Sequence, residues 1–168
     1  MKKLIALFAA IVLVSGFATV NAQVTATATG SATVITPIAI SKTTDMNFGN
    51  LAVSTAPGTI VLAPAGTRAK SGGVTLPAVT GTFGAAVFHV TGLTGSTYSI
   101  TLPSTYTISD GASHNMTVDT FTSTPSATGT LTGGAQDIQV GATLNVAGSQ
   151  TAGTYTNGGG FNVTVNYN

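Results

Sequence analysis

The sequence predicts an all-β domain, a sandwich or barrel, and three observations predict it. Apolar and polar residues alternate with period two in run after run. Clusters of Gly, Pro, Ser and Asn punctuate those runs at short spacing. No stretch beyond residue 22 repeats apolar residues at the spacing of a helix face. The clearest alternation is the closing one, Phe161-Asn162-Val163-Thr164-Val165-Asn166-Tyr167-Asn168. It puts Phe161, Val163, Val165 and Tyr167 on one face of a strand, and that face has to be buried. The chain is therefore expected to end inside a sheet, not in a frayed tail.

Taken in order, the elements begin with a leader. Met1-Lys2-Lys3 is a basic n-region, Leu4 to Phe17 an apolar h-region, and Val20-Asn21-Ala22 a small-residue cleavage motif. Residues 1–22 read as a secretory signal peptide, with Gln23 the first mature residue. The apolar run is shorter than the roughly 20 residues a spanning helix needs, so no integral membrane segment is expected after cleavage. No Cys stands near the cleavage motif, which excludes a lipoprotein anchor.

Residues 23–31 form an N-terminal extension, ahead of a sandwich domain at 32–168. From Val24 onward, Val24, Ala26, Ala28, Gly30, Ala32 and Val34 alternate with Thr or Ser, the pattern of a strand that a neighbour could receive. Strands follow at Ala32 to Ser41, Thr59 to Leu62, Gly73 to Thr80, Ala85 to Gly92, Thr97 to Leu102, Asn115 to Thr122, Ala127 to Leu131, Ile138 to Val146 and Gly160 to Tyr167. Their separators carry turn chemistry, as in Ala56-Pro57-Gly58, Thr94-Gly95-Ser96, Asp110-Gly111 and Asn157-Gly158-Gly159. Pro37 marks an edge or a bulge in the first run, and Pro77 weakens the third.

The phase of each run predicts the core. Val34, Ile38 and Ile40 point inward in the first run, and Phe88, Val90 and Gly92 in the fourth. Tyr98, Ile100 and Leu102 share a face, as do Met116, Val118 and Thr120. The longest clean alternation is Ile138, Val140, Ala142, Leu144 and Val146.

Composition narrows the function. Without Lys2 and Lys3, the mature 146 residues hold Lys42, Arg68 and Lys70 against Asp45, Asp110, Asp119 and Asp137, a net charge of −1. So sparse a charge gives no footprint for nucleic acid. It also removes the usual protection against self-association. The 31 Thr of the mature chain suit the outward faces of strands, being β-branched with a hydroxyl for water.

Catalytic inventory is thin: two His, four Asp, no Cys and no Glu. Asp110, Ser113 and His114 lie too close in sequence to converge from separate walls, as a nucleophile, base and orienter must. The Asp residues are scattered singly, which argues against a metal site. No cofactor and no enzyme activity are expected. Sugar binding would need an exposed aromatic platform. There is no Trp, and of the Tyr residues Tyr106 alone falls at a loop, beside Asp110, where packing on the sandwich end is the simpler role.

Three short motifs carry a resemblance: Asp45-Met46-Asn47-Phe48-Gly49, Ala152-Gly153-Thr154-Tyr155, and the closing Val163-Thr164-Val165-Asn166-Tyr167-Asn168. With them the mature chain resembles the secreted bacterial domains grouped as domain of unknown function 4402. That group is similar to common-pilus fimbrillins and, more distantly, to spore-coat-U-type domains. The resemblance implies an immunoglobulin-like β-sandwich, exported to the periplasm and built into a surface fibre by a chaperone and an outer-membrane usher. Many such pilins hold a disulfide; this chain has no Cys. The expected function is a structural subunit that associates with itself or related fimbrial subunits by β-strand addition. The alternative is a secreted binding module or adhesin for a glycan or host protein.

Overall fold

The computed structural model describes residues 22–168, so the expected leader, apart from Ala22, lies outside the described residues. The chain divides into two units, at residues 1–34 and 35–168. In the first, the described residues 22–34 form no strand and are all exposed, Val24 at 92% and Val34 at 97%. Val34 is therefore not a core residue, and the first expected strand does not begin at Ala32.

The second unit is an all-β sandwich of two antiparallel sheets, with one 3₁₀ turn at Thr132–Gly134. Its strands are β1 (Ala39–Thr44), β2 (Ala52–Leu62), β3 (Arg68–Thr75), β4 (Ala86–Thr91), β5 (Thr97–Thr101), β6 (Thr105–Ser109), β7 (Asn115–Thr124), β8 (Thr128–Thr130), β9 (Ala135–Val146) and β10 (Thr164–Tyr167). Strand β1 starts two residues after Pro37, which has no N–H to give a ladder. Strand β6 was not expected, although Tyr106 and Ile108 alternate with Thr between Pro103 and Gly111. Strand β3 starts at Arg68, earlier than expected, and stops at Thr75, before Pro77.

Strand β9 organises the large sheet. Its Ala135–Val140 half pairs with β4 and its Ala142–Val146 half with β2, while β7 pairs along the opposite edge from Gln139 to Asn145. Strands β4 and β2 thus lie end to end along one edge of β9. Gly141 stands at the handover, where a Cβ would run into the carbonyl of Leu62 and the chain beyond it. Strand β1 extends the sheet beyond β4, β3 beyond β2, and β6 beyond β7. The small sheet has the order β10-β5-β8.

The alternation of β9 buries Ile138, Val140, Ala142, Leu144 and Val146, all at 2% exposure or less. Two cores result. Phe88, Val90, Ile138 and Val140 pack with Tyr98, Leu131, Val163 and Val165 between the sheets. Ile60, Leu62, Val74, Met116, Val118 and Leu144 form the other, with Phe48. Tyr98 is fully buried and donates its hydroxyl to Gln136 Oε1 at 2.8 Å, as a buried phenol requires. Gly129 leaves room for that ring. The phase of β7 breaks after Val118: a bulge between Asp119 and Thr122 puts Thr120 at a φ of 49° and turns it outward, against expectation.

Leu144→Ala is expected to lower unfolding free energy by about 2–5 kcal/mol, the range for emptying a buried leucine site. Thr143→Ala, on the other face of the same strand, should change it by no more than about 0.5 kcal/mol. Urea denaturation of both variants checks the face assignment.

Candidate functional site

A groove of about 1310 Å³ opens into the domain. One wall is the segment Asp45–Val53 with Ile40 and Lys42 of β1; the other is Gln150–Val163. Its floor is the inner face of the large sheet, including Phe88, Met116 and Leu144. Over this half of the sheet the second layer is made of loops, because the small sheet covers the other core.

Each wall is fixed by specific contacts. Arg68 donates from Nη1 to the carbonyls of Phe48 and Asn50 and stacks over the Phe83 ring at 4.0 Å. On the other wall, Thr156 bridges Ser109 of β6, and Asn157 Nδ2 donates to the Thr107 carbonyl at 2.7 Å. Tyr155 donates its hydroxyl to the Thr151 carbonyl at 2.7 Å. Phe161 reaches across the interior, its ring centroid 6.0 Å from Phe88, 5.5 Å from Tyr106 and 5.1 Å from Phe121. Tyr106 is thus a packing residue and no open sugar platform. Burial raises the pKa of its phenol, and the nearby Asp45 carboxylate adds to the rise.

The expected C-terminal strand is only partly paired. Strand β10 starts at Thr164, three residues after Phe161. Its partner β5 ends at Thr101, opposite Thr164, and Leu102-Pro103 follow, so nothing continues the ladder beside Phe161–Val163. Val163 and Val165 are nonetheless buried, and Phe161 and Tyr167 are half-buried, so the face is the expected one.

The backbone of β10 has a free side. Asn168 donates to the Thr97 carbonyl, whereas Ile100 donates to Ala127 on the β8 side. Residues opposite Thr101 and Ser99, namely Thr164 and Asn166, therefore turn their backbone groups into the sheet. Val165 and Tyr167, opposite Ile100 and Tyr98, turn theirs away from it. No strand among the described residues pairs with that edge. The gap closes at one end, where the Tyr167 hydroxyl donates to the Thr36 carbonyl at 2.9 Å and accepts from Leu93 N–H at 2.7 Å.

The titratable side chains serve the strands and turns. His89 Nδ1 lies 2.6 Å from Asp137 as a cross-strand pair on the outer face. Asp110 and His114 do meet, at 2.5 Å, but Asp110 also accepts the backbone N–H of Ala112 and of His114, so its carboxylate caps its own turn. Ser113 is an exposed residue of that turn. Among the described residues no three His, Cys, Asp or Glu group as metal ligands would. No described helix is long and apolar enough to cross a membrane.

The family model described as "Domain of unknown function (DUF4402)" matches residues 38–167, and the chain belongs to that family. No curated protein and no solved structure matches it.

The hydrogen bond from His114, joined by the two backbone donors, holds the Asp110 carboxyl below its ordinary value of 3.8. A carboxylate depressed on folding stabilises the fold above its unfolded pKa and loses that contribution as pH falls through the folded one. Asp110→Asn should therefore be less stable than wild type at neutral pH, with the difference closing as pH falls below about 3.8. Thermal melts across an acid series check this.

Proposed function

We propose that this DUF4402 protein is an exported structural subunit of a bacterial surface fibre or coat, of the fimbrial kind, that assembles by β-strand addition. The observation that carries the reading is the segment Val24–Val34: small apolar residues in strict alternation, exposed and in no strand. Such a pattern acquires a buried face only when a sheet receives it. The leader-like residues 1–22 support export through the periplasm to the cell surface. A periplasmic chaperone and an outer-membrane usher are the partners such a route needs before subunits meet one another.

The near absence of charge supports the same reading, since closely packed subunits bury much of their surface. Nothing in the groove favours the adhesin alternative. Its volume exceeds the roughly 300–1,000 Å³ of small-ligand pockets, and Tyr106 is committed to the Phe161 cluster. A segment of chain fits that space better than a sugar ring.

Removing Gln23 to Ser31 should leave a folded domain and abolish polymer formation. The same segment added as a free peptide should raise the thermal midpoint of the truncated domain, since a ligand that binds only the native state stabilises it. Truncated protein that still forms fibres of normal length overturns the proposal. So does a midpoint that falls on truncation at high dilution, the sign of a segment folded back on its own domain.

A further inference from the structure

We infer that Asn157 is a site of self-modification: the following backbone nitrogen displaces its side-chain amide, and the carboxylate left behind frees the Gln150–Val163 wall from β6. The sequence supplies the reacting pair. Asn157-Gly158 is its only Asn-Gly step, and Gly159 and Gly160 follow. A residue without Cβ lets its backbone nitrogen swing onto the preceding side chain. Nothing lies within 4 Å of the place a Cβ of Gly158 would occupy, and Asn157 itself is exposed. Asn47, Asn50, Asn115, Asn145, Asn162 and Asn166 instead precede Phe48, Leu51, Met116, Val146, Val163 and Tyr167, whose side chains obstruct that approach.

The structure adds the activation. Gly159 N–H donates to Asn157 Oδ1 at 2.8 Å. That bond strengthens as negative charge gathers on Oδ1 during attack at Cγ, the part an oxyanion donor plays. A bond forms from Gly158 N to Asn157 Cγ, and the bond from Cγ to Nδ2 breaks. The amide nitrogen leaves as ammonia, taking the Gly158 proton with it. Water then opens the cyclic imide at either carbonyl and returns a proton to Gly158 N. The products are aspartate and isoaspartate, the second with the main chain rerouted through the side chain. The consequence is local. Asn157 Nδ2 donates to the Thr107 carbonyl of β6 at 2.7 Å. A carboxylate has no hydrogen to give, so in either product oxygen faces oxygen and the contact turns repulsive. In isoaspartate an added methylene also distorts the turn that Gly160 N–H closes on the Asn157 carbonyl. The load then falls on the neighbouring tie, where Thr156 and Ser109 exchange backbone hydrogen bonds of 2.8 and 2.9 Å.

The test ages the purified protein in mildly alkaline buffer and follows it by mass spectrometry with peptide mapping. Asn157 should exchange amide nitrogen for oxygen first, with isoaspartate in the same peptide, while the other asparagines keep their amides. Asp110-Gly111 can form the same imide, but that leaves the mass unchanged, so the mass gain separates the two. Gly158→Ala should slow the gain severalfold; Gly158 has no positive φ and open space at Cβ, so alanine fits there. Amide hydrogen exchange reads the wall. In the aged protein, and separately in Asn157→Asp, Ser109 and Thr156 should exchange about tenfold faster, because an unmade bond and a repulsive contact favour local opening. The Leu144 amide, in the middle of the large sheet, should not change. Asn157 that keeps its amide in native protein but loses it in urea shows that its hydrogen bonds protect it, and overturns the inference. Equal modification of several asparagines, or no effect of Gly158→Ala, removes the route through Gly158. Unchanged exchange at Ser109 and Thr156 after modification overturns release of the wall.

Discussion

The constraint on which the rest of the structure depends is that β9 is paired along both edges while every second side chain is buried. Ile138, Val140, Ala142, Leu144 and Val146 leave no room for a one-residue slip, which would carry five apolar side chains to the other face. With register fixed, β7 takes one edge and β4 and β2 divide the other at Gly141. The two cores follow from that division, since each half of β9 presents its apolar face to a different covering layer. One layer is the small sheet. The other consists of loops held by Arg68, Thr156 and Asn157, and the groove lies within it.

A sheet that ends in loops instead of a strand has an unfinished side, and the local chemistry shows which. Pairing of β10 begins only at Thr164, although burial alternates from Phe161 onward. Burial without pairing is an unusual combination, because side-chain patterning and ladder formation normally run together. The side chains of Val163 and Val165 are satisfied by packing, but the Val165 backbone groups on the outer side are not satisfied by any described strand. An incoming backbone would complete this edge through ladder hydrogen bonds, so its side chains need only to be small enough. That is a different demand from the one the core makes of β9, where volume has to be filled.

The sequence was most legible where one rule acted alone. The alternations of β9 and of the C-terminal run were read correctly, because period two on a buried face admits one phase. Legibility failed where two rules competed. In Ala32 to Ser41, β propensity argued for an early strand and Pro37 against it; Pro37 prevailed, and Val34 is exposed. In Asn115 to Thr122, the bulge after Asp119 reversed the phase at Thr120, and no residue type announces a bulge. Strand β6 had its signal in Tyr106 and Ile108, but the seven residues between Pro103 and Gly111 read equally well as a loop. The groove had no local signal at all. It arises because β5 stops at Thr101 while Phe161–Val163 continues beyond it, and those residues are about sixty positions apart. The role of Arg68 was equally hidden, since its acceptors are the carbonyls of Phe48 and Asn50, and any residue supplies a carbonyl.

The same reasoning explains why so few charges suffice. A freely soluble domain needs charge on its edges and outer faces to prevent adventitious pairing. Here the edges are protected mainly by geometry: a bulge in β1, a covering loop on β6, brevity in β8. Lys42 on β1 and Arg68 and Lys70 on β3 are the basic residues that stand on edge strands, and Arg68 is turned to the carbonyls of Phe48 and Asn50. The Thr-rich outer faces are wetted by hydroxyls, which favour water without repelling a neighbouring copy. A fibre built from such surfaces would gain lateral packing with little charge to desolvate, and its order would come from one unguarded edge instead of from a pattern of ion pairs. The absence of charge from Phe161–Tyr167 and from Val24–Val34 is then one property shared by two segments, and it is the property that the proposed strand addition asks of both.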